Sequence, residues 1–392
     1  MEGKMKKTGF LVFCIALVMG MTGFPAFADI ESIKIGMIGP MSGPCAFQGA
    51  SMKNAAEMAV AEINQKGGIQ GKKIELNIED DESTPVKAVN AAQKLVTKDR
   101  VLSVVGHYNS SCTLASMEVT QRNKVPHMCP ISVAAAITGQ GHKYIFRNCA
   151  TNPMQINQLA DYVFQYMKRG AEGRVAEIYE QTDYGKGIME IFKGRVEAES
   201  GWQVAALELY KPGDTDMIAQ LTKIKASRPG FLLLGGNMTE VAQIVRQARE
   251  VGLKTQLLAL GGCSNDKFAE LAGKKNIEGM TNTSYFETTS KNPLARVFVK
   301  AYRDRYDTDP DMFAAAVYEA FYILEHSINK TGVDYGSISK WRKDLRNAIA
   351  GIQAFPGVQG PTTYGEDGQA DKKVYIVRWE NGRRVIIYPE GS

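Results

Sequence analysis

The chain has 392 residues, 44% of them apolar, with 47 Lys and Arg against 42 Asp and Glu and a formal net charge of +5. That length exceeds one ordinary core and argues for two domains. The charge is scattered without a Lys/Arg block, so no nucleic-acid partner is expected, and the six cysteines and four histidines have no CxxC or metal-ligand spacing, so neither a metal nor a cofactor is expected.

The first segment reads as an export signal. Lys4, Lys6 and Lys7 form a positive start, residues 10–18 are almost wholly apolar, and Ala26-Phe27-Ala28 supplies the small residues of a cleavage site. Cleavage is expected before Asp29, giving a soluble periplasmic product; an uncleaved anchor is the alternative, but the apolar run is short for a membrane span. The mature chain then has about 364 residues and, with three Lys and Glu2 removed, a charge of about +3. Of its five cysteines (Cys45, Cys112, Cys129, Cys149 and Cys263), an odd count leaves at least one thiol free in an oxidising compartment.

Strands and helices then alternate. A buried strand at 33–39 is followed by apolar residues at helical spacing, Met52, Ala55, Ala56, Ala59 and Ile63, ended by Gly67-Gly68. Strand 74–78 alternates apolar and polar residues, and Thr84-Pro85 opens a helix to about 97. Strand 101–106, a helix from Ser110, and strands at 125–129 and 144–147 complete a first series. Asn152-Pro153 opens a second: strand 174–179, helix 185–200, strand 204–209, helix 214–226, strand 231–235, helix 240–251 and strand 256–260. Each series is of the doubly wound α/β kind with a mostly parallel sheet. Three later helices are expected at 293–306, 312–329 and 338–350, and a hairpin turns at Asn381-Gly382 between 373–379 and 384–388. No low-complexity linker separates these pieces, which favours a chain crossing repeatedly between two lobes.

Ligands of open α/β sheets bind at the carboxyl ends of strands, beside helix N-termini. The strand ends here carry small and polar residues: 41–49, His107-Tyr108-Asn109-Ser110-Ser111, Pro130-Ile131-Ser132-Val133, 179–184, Gly235-Gly236-Asn237 and Gly261-Gly262. Ser110 and Ser111, at a helix start, suit an anion, although a serine there also serves as a plain cap. Tyr184 and Tyr318 suit stacking on a ligand or ordinary packing.

Taken with Ile35-Gly36-Met37-Ile38-Gly39-Pro40-Met41-Ser42-Gly43, Ala61-Glu62-Ile63-Asn64, Val105-Gly106-His107, Tyr184-Gly185-Lys186-Gly187 and Gly252-Leu253-Lys254-Thr255, the chain resembles the leucine/isoleucine/valine-binding family, the type I solute-binding proteins of ABC importers. The resemblance implies two Rossmann-like lobes joined by a three-crossover hinge, with 29–150 plus 285–365 in the first lobe and 151–284 plus 366–392 in the second. It also implies a monomer that closes on an amino acid of the branched-chain type, or a related small carboxylate, and delivers it to membrane permease subunits.

Carried over position by position, Ser110 matches the serine that binds the ligand carboxylate, and Ile131 and Val133 match the adjacent backbone contacts, with Ser111 and Ser132 as neighbouring candidates; Val133 stands where the family often has a threonine hydroxyl, so one carboxylate contact is lost. Gln48 and Asn237 fall where aromatic residues are usual, and Tyr184 and Tyr318 retain theirs. Gly261 falls at the acidic position that pairs with the ligand α-ammonium, and a buried ammonium without a carboxylate is costly. Either Asp183, Glu180 or Glu287 takes that role, or the ligand lacks the ammonium and is an aromatic or keto acid or an amide. A soluble presenter to a sensor remains an alternative. Catalysis is not expected: Cys112 lies near a helix start, where a thiol is activated, and His107 is close in sequence, but no third group orients the two.

Overall fold

The computed structural model describes residues 31–167, 173–333 and 336–389; the export signal expected at 1–28 lies outside them. The first lobe begins with β1 (Ser32–Gly39), α1 (Ala46–Gln65), β2 (Lys73–Asp80), α2 (Pro85–Gln93), β3 (Ser103–Val105), α3 (Ser110–Arg122), β4 (His127–Cys129), the single turn α4 (Ala136–Gly139) and β5 (Ile145–Arg147). Its strands pair in the order β2-β1-β3-β4-β5, all parallel. β1 is buried almost without a break along its length, as a parallel strand covered on both faces must be.

The second lobe repeats the plan with α5 (Asn152–Tyr166), β6 (Arg174–Glu180), α6 (Asp183–Ala198), β7 (Gln203–Tyr210), α7 (Ile218–Ala226), β8 (Phe231–Gly235), α8 (Met238–Glu250), β9 (Gln256–Ala259), α9 (Asp266–Ala272) and β10 (Thr281–Ser284). There follow α10 (Pro293–Tyr306), α11 (Met312–Thr331), α12 (Ile338–Ala350), the short pair β11 (Phe355–Gly357) and β12 (Gly360–Thr362), and the hairpin β13 (Tyr375–Glu380) and β14 (Arg383–Tyr388). The second sheet runs β7-β6-β8-β9-β10, parallel throughout, and then adds β13 and β14 antiparallel. Both sheets therefore reverse strand order at the same place, between β1 and β3 in one and between β6 and β8 in the other. Loops leaving a sheet at such a switch point open a crevice.

α10, α11 and α12 pack onto the first lobe although they come late in the chain. α11 is buried nearly all round, as a helix inside a core is, and its Phe313, Val317, Phe321 and Leu324 share one apolar cluster with Ile33, Ile35 and Met37 of β1. The chain thus crosses after β5, returns after β10, and crosses again before β13. Gln369 bridges Arg147, and Ala370 and Val374 lie in the first-lobe core, so the last crossing comes later than the 365/366 division read from the sequence.

Several elements differ from the sequence reading, among them the short α4, β11 and β12, which it lacks, and β3, which spans only Ser103–Val105 of the strand read at 101–106. α7 starts at Ile218 rather than 214, because Asp214 turns back onto the Lys211 N–H (2.8 Å) and Asp216 accepts from the Ile218 N–H (3.0 Å). β10, Thr-Asn-Thr-Ser, has no apolar pattern yet is buried at every position between β9 and β13. α9 is a helix of only 7 residues, too short to show a helical repeat in the sequence.

Candidate functional site

A cleft opens where the two switch points face each other. From the first lobe it is lined by Tyr108, Asn109, Ser110 and Ser111 after β3, and by Ile131 and Val133 after β4. The second lobe contributes Thr182 and Tyr184 after β6, Asn237 after β8, and Gly262. Gln155, Tyr285, Met312 and Phe313, close to the crossings, complete the wall. Not one of these residues bears a formal charge.

The first-lobe wall is held by a saturated polar network. His107 Nδ1 lies 2.6 Å from Asp81 Oδ2 and its Nε2 2.7 Å from Ser116 Oγ, all three side chains being fully buried. Asp81 also accepts from the Ser83 N–H (2.9 Å). Ser132 donates to the carbonyls of His107 and Tyr108 (3.0 Å each) and lies 2.7 Å from Thr113 Oγ1. His127, whose proton affinity burial and the neighbouring His107 push down to about 3, places Nε2 3.0 Å from the Gly106 carbonyl. Gly106 itself has a φ of +150°, and a Cβ there would stand 2.3 Å from the Ile38 carbonyl oxygen, so only glycine lets β3 end this close to β1. The Asp81–His107–Ser116 arrangement has the members of a nucleophilic triad, but with no exposed atom it serves to fix the start of α3. The N-cap residue of α3, Asn109, makes no side-chain cap, and Ser110 and Ser111 of the uncapped first turn line the cleft, where an anion would meet a helix start. Ser110 Oγ accepts from the Ala134 N–H (3.2 Å) and ties the helix start to the loop after β4.

The second-lobe wall is different. Glu180, at the end of β6, is 1% exposed, and no cation among the described residues pairs with it. Both its oxygens accept from Asn237 Nδ2 (3.1 and 2.9 Å) and one accepts from Thr182 Oγ1 (3.3 Å). Burial, reinforced by the neighbouring Glu240, raises its pKa to about 7.

Six of the ten residues singled out from the sequence meet in this cleft: Ser110, Ser111, Ile131, Val133, Tyr184 and Asn237. Four do not line it. Ser132 is turned inward by the bonds just described. Gln48 is buried at the lobe junction, its Nε2 3.8 Å from Met238 Sδ of the opposite lobe. Tyr318 lies in a separate groove of the first lobe and donates to Glu62 (2.6 Å). It sits almost two turns into α11, about 9 Å along the axis from Met312 at the cleft, and Phe313 is the aromatic that this helix brings to the wall. Gly261 lies just behind the wall: a Cβ there would meet Met312 Cε at 2.7 Å and Gln155 Oε1 at 3.2 Å, so the place of an acidic side chain is filled.

Among the acids offered as substitutes, Glu287 is bound to Arg384 (3.1 Å) and Ser264 (2.8 Å), and Asp183 is exposed. Glu180 alone stands beside the cleft without a compensating charge. Gln155, Tyr285, Met312 and Phe313 are cleft residues outside the sequence-derived set. Their signal was positional: Gln155 and Met312-Phe313 lie in the first turns of helices that the sequence did reveal. All five cysteines of the described residues are buried and free, and burial pushes the Cys112 thiol up, away from reactivity.

The model of the periplasmic binding protein family matches residues 32–384. A Leu/Ile/Val-binding protein homolog of Brucella suis is 30% identical over 379 residues, covering 96% of this chain and 97% of that one. The chain belongs to the Leu/Ile/Val-binding protein family. The branched-chain amino acid binding protein LivJ of Streptococcus pneumoniae, solved with isoleucine, superposes with a TM-score of 0.82 at 29% identity, covering 90% of this chain and 98% of that one. A solute-binding protein of an R. palustris ABC transporter, solved with benzoate, superposes with a TM-score of 0.80 at 20% identity, covering 91% and 95%, a likeness of fold. The type I fold expected from the sequence is thus the fold found. Members of the family are solute-binding proteins that take small ligands and work with ABC permeases; they are not enzymes. No helix among the described residues is long and apolar enough to cross a membrane.

Proposed function

We propose that this chain is the extracytoplasmic solute-binding protein of an ABC importer, and that its ligand is a small carboxylate without an α-ammonium, most readily an aromatic acid. The observation that carries this reading is the composition of the cleft wall. A helix start without a side-chain cap offers a place for a carboxylate, no carboxylate among the described residues lines the cleft to receive an ammonium, and the space at Gly261 belongs to Met312. Tyr108, Tyr184, Tyr285 and Phe313 supply an apolar, aromatic surround for the body of the ligand. The protein is exported with cleavage before Asp29, acts in the periplasm as a monomer, and presents its closed form to permease subunits. The reading divides the lobes at 150/151 and 284/285.

A second reading, a branched-chain amino acid, rests on Glu180, an acid next to the cleft with no cation of its own. Titration calorimetry on the mature chain with benzoate, the keto acid of leucine, and leucine itself separates the two. Micromolar binding of either amine-free acid with no response to leucine is the expected result. Tight leucine binding would replace the first reading with the second.

A further inference from the structure

Asparagine at an N-cap ordinarily turns its side-chain oxygen onto the second or third N–H of the helix. Asn237 caps α8 and makes no such bond. Its amide is held the other way, with Nδ2 donating to both oxygens of Glu180. The amide has one remaining polar atom, Oδ1. Asn237 lines the cleft, and no protein group among the described residues is bonded to Oδ1. A buried carboxylate without a cation is an expensive group to keep, and here its bonds fix the orientation of a neighbouring amide.

Resting on the carboxylate reading above, we infer that the Glu180–Asn237 pair reads a hydrogen-bond donor on the ligand end that meets the second lobe. The site then selects carboxylates bearing a distal hydroxyl or amide N–H over those ending in an apolar group. Glu180 is a positioning residue and Asn237 the contact. The two walls divide the work: the start of α3 takes the anion, and the Asn237 carbonyl takes the donor. An apolar end would leave that carbonyl desolvated and unpaired, the situation in which a site discriminates most strongly.

The orientation is tied to the charge on Glu180. When Glu180 carries a proton, its O–H donates to Asn237 Oδ1, the amide turns over, and Nδ2 faces the cleft instead. The groups around Glu180 are Glu240 on α8, Thr182 and Tyr184 at the start of α6, Tyr210 at the end of β7, and Cys45 and Tyr108 from the first lobe. Burial raises the pKa of both these thiol and phenol groups where they face Glu180, so none of them becomes charged near neutrality. The preference for a donor is therefore expected to fade in acid.

The test is calorimetric titration of the mature chain with benzoate, meta-hydroxybenzoate and para-hydroxybenzoate at pH 8 and at pH 5.5, repeated for Asn237→Ala and Glu180→Gln. At pH 8 one hydroxylated acid should bind at least about tenfold more tightly than benzoate, and the ratio should shrink at pH 5.5. In Asn237→Ala the ratio should fall to within about threefold, and in Glu180→Gln it should no longer depend on pH. Equal binding of all three acids by the wild type, or a ratio that survives in Asn237→Ala, overturns the inference while leaving the carboxylate reading intact. Failure of every acid to bind overturns the carboxylate reading itself, and the inference falls with it.

Discussion

The two walls of the cleft are built on one strand order and are chemically unlike. The first-lobe wall, after β3, rests on Asp81, His107, Ser116, Thr113 and Ser132, a chain of buried groups in which each polar side chain has a partner. The second-lobe wall, after β6 and β8, rests on Glu180, buried to the same degree but answered only by an amide and a hydroxyl. A satisfied network makes a rigid surface, and an uncompensated buried acid makes one whose charge responds to pH. The same topology thus supplies a fixed anion cradle on one side and a tunable face on the other.

Four experiments bear on that contrast. The largest effect should come from breaking the first-lobe network. Asp81→Ala strips His107 of a buried partner and should cost roughly 3–5 kcal/mol, read as a fall in the urea midpoint at unchanged slope. A loss below 1 kcal/mol would show that this wall is not held as described. Ser111→Asp tests the cradle without touching the network. An acid in the first turn of a helix is tolerated by the fold, yet it should repel a ligand carboxylate and weaken binding by at least about 100-fold, or about 2.7 kcal/mol. Unchanged affinity in calorimetry would move the anion elsewhere.

On the second wall the effect should appear in the pH dependence of stability. Glu180 titrates near 7 when folded and near the ordinary 4.5 when unfolded. The folded state therefore holds the extra proton between those values. Stability is fully present below about 4.5, declines as pH rises toward 7, and stays reduced above it. Glu180→Gln should abolish this decline and be more stable than wild type at pH 8 by about 2 kcal/mol, less than the full shift implies because solvent reaches the lobe junction as the cleft opens. Parallel stability curves for the two proteins from pH 4.5 to 8 would refute it. The smallest effect concerns Gly261. Gly261→Asp with Met312→Ala frees the space and restores an acid, and it should raise leucine affinity at least about tenfold, or 1.4 kcal/mol. Gly261→Asp alone should gain less, because Met312 Sδ lies 2.9 Å from where the new Cβ would stand. A folded double variant that still ignores leucine would mean that an acid at this position cannot reach an ammonium.

Much of the protein was legible in its residue order. Periodicity marked most strands and helices, because parallel strands buried on both faces and amphipathic helices impose distinct spacings. Glycine and serine at strand ends marked where the cleft opens, since backbone must approach a ligand there. The order of the elements then implied two doubly wound lobes. What the sequence could not convey depends on chains meeting at long range. β10 is polar and reads as a loop until β9 and β13 bury it. Tyr318 and Phe313 are both aromatics of one helix, and only the seating of α11 against the first sheet brings Phe313 to the cleft. Asn237 reads as a polar residue at a strand end, and only Glu180, 57 positions away, sets which way its amide points. The local pattern determined the elements and their order. Which side chains face the ligand, and which atom each presents, was decided by packing between segments distant in the chain, since an atom's orientation follows from its partners rather than its neighbours in sequence.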